Sequence, residues 1–253
     1  LNEDLWSGSL DLGYLLTPDI NIGVGGALTE TRRTSSRRDF QFQAPNSFPT
    51  AVGMLRPDLL LAPGIIDGFN IALIETNEGN PAFEANLKTW AGYGKLNWQI
   101  TPAISVEAGV RYEKADQRVD PVQVFAVPAA STAGTMLKHE YWLPAATLTW
   151  QLRPDLQFRL NASKTIARPQ FRELIYQAYF DPESNRQYQG NPLLVDSQLY
   201  NTEARIEWYF AADQRFSAAG FFKRIDHPIE SFITGGDLVT SFANAPKANL
   251  YGV

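Results

Sequence analysis

A period-two alternation of apolar and polar residues constrains this chain more than any other feature. In one segment, Ile104, Val106, Ala108, Val110 and Tyr112 alternate with Ser105, Glu107, Gly109, Arg111 and Glu113. Similar alternation occupies 20–29, 156–163 and 203–210. Successive side chains of a β-strand point to opposite faces, whereas a helix would mix these charges with the apolar residues. The pattern therefore predicts strands with one apolar and one polar face, although 216–225 alternates too poorly for its faces to be assigned.

Short turns alternate with long connections along the chain. The short turns are Thr17-Pro18-Asp19, Thr101-Pro102-Ala103, Arg153-Pro154-Asp155 and Ala211-Ala212-Asp213. Proline sets a backbone angle suited to a turn, and aspartate can bond its own backbone. The long connections span about 34–84, 119–138 and 168–197. Short turns at one end and long loops at the other are typical of an outer-membrane β-barrel.

A large aromatic residue stands three positions before each short turn. The four residues are Tyr14, Trp98, Trp150 and Trp208. As strand residues they share the apolar face at one height, and Trp and Tyr favour a membrane–water boundary. We therefore predict a membrane girdle. The alternative is a β-sandwich core with its large aromatics at one end.

The charges on the polar face distinguish the two architectures. Six charged residues are predicted to face a water-filled lumen: Glu107, Arg111, Arg159, Glu203, Arg205 and Glu207. Burying them in a sandwich would be costly unless every charge were paired, whereas a hydrated lumen removes that cost. We predict an all-β fold, a transmembrane antiparallel up-and-down β-barrel, with eight strands and a ninth beginning near Asn249. These charges either form ion pairs with another domain inside the lumen or simply keep the wall hydrated.

Composition excludes several classes of function. The chain has no cysteine, two histidines and a formal net charge of −5. The lack of cysteine rules out disulfides, thiolate metal sites and a cysteine nucleophile, and the negative charge argues against a nucleic-acid partner. Asp226-His227 and His139-Glu140 lack the further residues of a hydrolase or zinc motif. We therefore predict no enzyme activity, no catalytic residue, no bound metal and no cofactor.

Three motifs in the second half of the chain carry a family resemblance. They are Ser163-Lys164-Thr165-Ile166-Ala167-Arg168-Pro169-Gln170-Phe171-Arg172-Glu173-Leu174, then Gly190-Asn191-Pro192-Leu193-Leu194, and the closing segment from Asn244-Ala245 to Tyr251-Gly252-Val253. Together they resemble TonB-dependent outer-membrane receptors, more narrowly the Xanthomonas/Caulobacter-type branch. The resemblance is strong from about Tyr141 to Val253 and rests mainly on layout from Leu1 to Glu140.

The resemblance implies a barrel of about 22 strands with a plugged lumen in the outer membrane of a Gram-negative bacterium. We expect residues 1–253 to be a fragment of 8–9 strands of that barrel, without the plug domain and the C-terminal strands. The expected partners are outer-membrane lipid and lipopolysaccharide, the receptor's own plug and, through the plug, the TonB complex. The implied function is active import of a bulky solute, such as a siderophore–iron complex, a corrinoid or an oligosaccharide. A passive porin-like channel and a soluble secreted glycan-binding β-sheet module are the alternatives.

Two groups of loop residues are candidates for ligand binding. The basic cluster of Arg32, Arg33, Arg37 and Arg38 could grip lipopolysaccharide phosphates or an anionic ligand, or simply form a solvated loop face. The aromatic group comprises Tyr176, Tyr179 and Tyr188, beside Arg186 and the 190–192 turn. Tyrosine rings suit flat ligands, but they also pack loops against one another. We predict that this second group faces the ligand.

Overall fold

The computed structural model describes residues 1–36, 40–75, 82–122, 134–181, 184–234 and 239–253. In chain order the strands are β1 (Asn2–Thr17), β2 (Ile20–Ser35), β3 (Phe40–Gln43), β4 (Ala72–Glu75), β5 (Phe83–Thr101), β6 (Ile104–Pro121), β7 (Thr135–Arg153), β8 (Leu156–Ala167), β9 (Ala178–Asp181), β10 (Arg186–Gln189), β11 (Ser197–Ala211), β12 (Gln214–Asp226), β13 (Ile229–Thr234), β14 (Val239–Asn244) and β15 (Lys247–Gly252). The helices are α1 (Thr50–Gly53), α2 (Pro57–Leu60) and α3 (Pro63–Gly68), with a 3-10 turn at Phe171–Glu173.

Nine long strands form one antiparallel sheet in the order β1-β2-β5-β6-β7-β8-β11-β12-β15. Neighbouring strands follow one another along the chain apart from the small insertions, which is up-and-down topology. The sheet is open within the described residues, with β1 and β15 at its edges. The predicted all-β, antiparallel class is confirmed, and the ninth strand begins at Lys247, two residues before the expected position.

Two-residue turns join the long strands at one end of the sheet. They connect β1 to β2, β5 to β6, β7 to β8 and β11 to β12, as the sequence predicted. Asp213 in the last of them has a φ of 62°, a left-handed conformation that aspartate tolerates better than most residues. The opposite end carries the three predicted long connections and a fourth, between β12 and β15, which holds β13 and β14.

The long connections contain short elements that the alternation did not predict. Between β2 and β5 lie the hairpin of β3 with β4 and the three short helices. Proline occupies the first position of α2 and of α3, where its missing N–H has no intrahelical partner to lose. A second small sheet has the order β13-β14-β10-β9. Within the described residues, none of the helices is long and apolar enough to cross a bilayer.

The strand register separates the side chains into two faces. From β1 to β12 of the nine-stranded sheet, odd-numbered residues pair with odd-numbered residues across neighbouring strands, and even with even. The even-numbered face, here the apolar face, leaves Leu160 and Ile206 38% and 39% exposed. The odd-numbered face, here the polar face, carries Glu207, which is only 3% exposed. The predicted alternation is therefore confirmed.

The register also assigns the faces of 216–225. Phe216 lies on the apolar face opposite Trp208, and Ser217 lies on the polar face opposite Glu207. The pattern was unreadable because Phe221 and Ile225, both apolar, lie on the polar face opposite Glu203 and Leu199. Phe221 packs closely against Gly252 of β15, where a side chain would collide with its ring.

The apolar face bears two rows of aromatic residues, of which the sequence predicted one. Tyr14, Trp98, Trp150 and Trp208 lie on this face near the short turns, each at least 42% exposed. Eight residues along the same strands, towards the long loops, stand Trp6, Trp90, Trp142 and Tyr200. Eight residues of strand span about 26 Å along the strand, or about 20 Å of height at a tilt near 40°. That height approaches the roughly 25 Å apolar band of outer-membrane barrels, so the membrane girdle stays a prediction with a second row to test it.

The two faces should respond differently to an added charge. Ala146 lies on the apolar face midway between Trp142 and Trp150, and Thr147 is its neighbour on the polar face, opposite Glu107. We expect Ala146→Arg to lower the free energy of unfolding by about 2–4 kcal/mol, because a cation at the bilayer midplane must be desolvated. Thr147→Arg should cost less than about 1 kcal/mol. Urea titration of the receptor that carries this chain, in phosphatidylcholine bilayers, measures both, and equal losses would contradict the assignment of faces.

Candidate functional site at the loop end of the polar face

The main apolar core lies at the loop end of the polar face, where residues 168–181 and 184–196 fold back over the sheet. We name these residues the mouth segment. The core consists of Phe171, Leu174, Ile175 and Leu194 of the mouth segment, Phe83 and Ala85 of β5, Val119 of β6 and Phe242 of β14. Leu174 is 0% and Leu194 1% exposed. Their burial fixes the segment against the wall, so that it occupies the approach to the polar face from the loop end.

An ion cluster anchors the start of the mouth segment. Arg168 Nη2 lies 2.7 Å from Glu113 Oε1, and Arg111 Nη2 lies 2.8 Å from Glu113 Oε2. The Glu113 side chain is only 10% exposed, so the two guanidinium groups offset the cost of burying its charge. Next to this cluster, Gln117 Nε2 donates a hydrogen bond of 2.8 Å to the Pro169 carbonyl. The Arg168-Pro169 motif thus directs the chain away from the end of β8 and holds it against β6.

Contacts with β7 hold the middle and the end of the mouth segment. Thr135 Oγ1 donates to the Leu174 carbonyl over 3.3 Å. At the end of the segment, His139 Nδ1 lies 3.0 Å from Asp196 Oδ2, and the Asp196 side chain is 1% exposed. Side chains on the polar face of β6 and β7 therefore hold the start, the middle and the end of the mouth segment against the sheet.

Gly190 is required by a close backbone approach. A Cβ atom at this position would fall within 2.7 Å of the Ile175 backbone nitrogen and within 2.8 Å of the Glu173 carbonyl oxygen. The next residue uses that approach, because the Asn191 backbone N–H donates to the Glu173 carbonyl over 2.6 Å. The Asn191 side chain donates to the Phe242 carbonyl over 2.9 Å. The Gly190-Asn191 motif therefore fastens the mouth segment to itself and to β14.

Asn244 fastens the third motif to the same assembly. Its Nδ2 donates to the Val195 carbonyl over 3.0 Å and to the His227 carbonyl over 2.8 Å. Its Oδ1 accepts the Val195 N–H over 2.9 Å. All three motifs of the sequence resemblance thus meet at one junction of loops and wall, and their roles there are structural.

The predicted aromatic ligand group is divided between packing and exposure. Tyr179 and Tyr188 stack with ring centroids 5.7 Å apart, and Tyr188 stacks on Phe242 at 5.9 Å. Tyr179 is 8% exposed, which leaves little of its ring for a ligand. Tyr176 is 56% exposed, and Arg186 is exposed as well. Ligand binding by this group stays a prediction, and the structure leaves Tyr176 and Arg186 as its accessible members.

Arg32 and Arg33 of the predicted arginine cluster lie on opposite faces of the sheet. Consecutive strand residues point to opposite faces, so Arg32 and Arg33 are separated by the sheet. Arg32 lies on the apolar face, 2.7 Å from Glu30. Arg33 lies on the polar face, pairs with Glu3 and stacks over the Phe171 ring at 5.5 Å. Arg37 and Arg38 lie outside the described residues.

The six predicted lumen charges all lie on the polar face, although facing a lumen stays a prediction. Four of them surround or adjoin a recess of 280 Å³, whose lining is Thr147, Arg159, Asn161, Glu203 and Arg205. Arg205 pairs with Glu203 at 2.9 Å, while Arg159 and Arg215 lie 3.9 and 3.8 Å from Glu207. The recess offers both charge signs and amide groups to a polar partner.

The other two lumen charges, Glu107 and Arg111, lie outside that recess. Glu107 lines a separate recess nearer the short turns, and Arg111 belongs to the Glu113 cluster. In the described part of the chain, no group of three or more histidine and carboxylate side chains is placed to hold a metal ion.

A methyl group at Gly190 should loosen the mouth segment. We expect Gly190→Ala to cost about 1–3 kcal/mol, because the methyl group must displace backbone atoms of the facing turn. The readout is faster protease cleavage within 168–196 in isolated membranes. Gly94→Ala is the matched control, since a Cβ atom there meets nothing within 4 Å. Equal cleavage rates in the two variants would show that the close approach is unimportant.

The Arg168–Glu113 pair should couple the mouth segment to β6. We expect Arg168→Gln and Glu113→Gln each to speed amide hydrogen exchange in 168–175. The loss of opening free energy in the double variant should be smaller than the sum of the two single losses by about 0.5–3 kcal/mol, because residues in contact are energetically coupled. Additive effects would mean that the two residues act independently.

Comparison with known proteins agrees with this architecture. The chain matches the family described as TonB dependent receptor-like, beta-barrel, over residues 2–253. No curated protein sequence matches it.

Several solved structures share the fold. The siderophore receptor PiuA of Acinetobacter baumannii has a TM-score of 0.62 at 13% identity, covering 98% of this chain and 34% of that one. The hemophore receptor HasR of Serratia marcescens, in complex with its hemophore HasA and heme, has a TM-score of 0.58 at 11% identity, covering 99% and 38%. The iron transporter FrpB of Neisseria meningitidis has a TM-score of 0.57 at 10% identity, covering 99% and 33%. The chain thus spans about a third of the length of these structures, and with the family match over residues 2–253 it belongs to the TonB-dependent receptors, in their β-barrel.

Proposed function

We propose that this chain forms part of the barrel wall of an active importer in the outer membrane of a Gram-negative bacterium. The receptor binds a bulky solute at the loop end and imports it with energy from the TonB complex. Residues 1–253 belong to the barrel domain alone, and the plug and the remaining strands are formed by other residues of the receptor. Iron complexes are the leading solute class, because the similar structures are named as siderophore, hemophore and iron receptors. Corrinoids and oligosaccharides are the other classes to test.

The observation that carries the proposal is the pairing of two faces with opposite solvent preference. The apolar face exposes Leu, Ile and Trp side chains between two aromatic rows, which suits lipid. The polar face carries ion pairs and recesses lined by charged and amide side chains, which suit a lumen. A wall of this kind separates lipid from a water-filled interior.

The polar face also offers contacts for the other parts of the receptor. The recess lined by Arg159, Glu203 and Arg205 presents charges of both signs to a plug domain, which would link the wall to the TonB complex. At the loop end, Tyr176 and Arg186 of the mouth segment are exposed and available to contact an incoming solute. Because the anchored segment narrows the approach, a solute would meet these residues before it reaches the plug.

Energy coupling distinguishes this importer from a passive porin. Cells that express the whole receptor should accumulate a radiolabelled ferric siderophore, drawn from a panel that also contains a corrinoid and an oligosaccharide. Accumulation should stop when the TonB gene is deleted or the inner-membrane potential is collapsed. Uptake that continues without TonB would favour the passive channel. Purification of the receptor as a monodisperse protein in buffer without detergent would favour the soluble module instead.

A further inference from the structure

The charges level with the outer aromatic row of the apolar face, and those beyond it, are distributed unevenly around the sheet. We call this band of charges the outer rim. Among the described residues, the β1–β7 part of the rim carries five cations, Arg32, Lys88, Lys114, Arg118 and Lys138, and six carboxylates, Asp4, Glu30, Glu84, Asp116, Asp120 and Glu140. The part on β8, β11, β12 and β15 carries three cations, Lys164, Arg224 and Lys247, and one carboxylate, Asp226. The second part is therefore a basic sector on a rim that is otherwise slightly acidic.

Many cations of the β1–β7 part are already satisfied by carboxylates. Arg32 pairs with Glu30 at 2.7 Å, Lys114 with Glu140 at 2.9 Å, and Arg118 with Asp120 at 2.6 Å. In the basic sector, no carboxylate among the described residues lies within ion-pair distance of Lys164. An anion approaching the barrel from the lipid side therefore gains most from the sector on β8, β11 and β12.

Two cations of the basic sector converge on one ring of the outer aromatic row. Tyr200 lies directly opposite Lys164 on one side and Arg224 on the other. Lys164 Nζ is 5.5 Å and Arg224 Cζ 5.9 Å from the Tyr200 ring centroid. Both distances fit cation–π contacts, which hold the cationic groups at the height of the ring. That height is the boundary between acyl chains and headgroups for an aromatic row of this kind.

Arg224 is held in place while most of its donors remain available. Its Nε and Nη2 atoms donate to Asp226 over 2.7 and 3.1 Å. A guanidinium group has five N–H donors, so the pair fixes its orientation and leaves the others for a second acceptor. Planar, oriented donors of this kind match the oxygens of a phosphate group.

A gap in the sheet leaves room beside Lys164. The pairing of β7 with β8 runs from Arg153 opposite Leu156 to Ala145 opposite Ser163 and goes no further towards the loops. Pro144, the next residue on β7, has no backbone N–H to continue the ladder. Lys164 therefore has a paired strand, β11, on only one side.

We infer that Lys164, Tyr200 and Arg224 form a binding site for the phosphate group of an outer-leaflet lipid, with its acyl chains lying along the apolar face below. The inference rests on the proposed membrane setting. It assigns the lipid contact to a different place from the arginines at 32–38, since the sheet separates Arg32 from Arg33. Charge complementarity and continuity with the apolar band select a lipid as the occupant.

Native mass spectrometry of the whole receptor in detergent tests the site, with diphosphorylated lipid A as the probe. The Lys164→Gln/Arg224→Gln variant should bind it about twenty-five-fold more weakly, since each cation near a lipid surface contributes roughly a five-fold factor. The control is Lys88→Gln/Lys114→Gln, which removes two cations from the acidic part of the rim and should bind as the wild type does. Equal loss in the two variants, or equal binding of fully dephosphorylated lipid A by the wild type, would overturn the assignment.

Further arms separate this inference from other outcomes. Inorganic phosphate alone should not displace the lipid, and displacement at equal concentration would indicate a site for free phosphate instead. Lys164→Gln, which leaves no carboxylate unpaired, should weaken binding about five-fold and provides the test if the double variant does not fold. TonB-dependent uptake should be the same in the double variant and the wild type. If the wild-type receptor takes up no solute from the panel, the transport proposal is rejected, and the lipid-binding measurement still stands.

Discussion

The structure depends on the opposite solvation of the two faces of one sheet. A β-strand alternates its side chains, so a single stretch of chain can present hydrocarbon to one medium and charge to another without burying either in a protein core. The strands of this sheet from β1 to β12 keep this register, so the preference adds up over most of the sheet. Conventional burial is concentrated at the loop end, where Leu174 and Leu194 pack beneath the mouth segment. The sheet is therefore stabilised by its backbone ladder and its surroundings more than by a packed interior.

The loop end differs from the rest of the sheet because its irregular segments are held in one arrangement by a buried core. Arg168, the Gly190-Asn191 pair and Asn244 are far apart in the sequence, and they meet where the mouth segment joins β6, β7 and β14. Arg168 pairs with the buried Glu113, and Gly190 permits a close backbone approach. The side chains of Asn191 and Asn244 bond backbone groups of the irregular segments, which would otherwise lack partners there. The family motifs therefore hold the shape of the mouth segment.

Period-two alternation and turn chemistry predicted the long strands, their up-and-down order, the short turns and the faces of the strands other than β12. They could not predict the second aromatic row, although Trp6, Trp90, Trp142 and Tyr200 were visible, because it becomes apparent only when the eight-residue spacing is compared across aligned strands. The short elements β9, β10, β13 and β14 were missed because four to six residues carry too little periodicity and pair only in the folded loops. Adjacency in the sequence did not place Arg32 and Arg33 on one face, since consecutive strand residues diverge.

The central claim is that lipid contacts the even-numbered face and water the odd-numbered face. Spin labels placed singly at positions 104–111 of β6 in the bilayer-reconstituted receptor test it directly, because the mouth segment does not cover this part of the strand. Accessibility to oxygen, which concentrates in lipid, should be high at the even positions, and accessibility to a water-soluble nickel chelate should be high at the odd positions. The same accessibility at neighbouring positions, or the reverse alternation, would contradict the account.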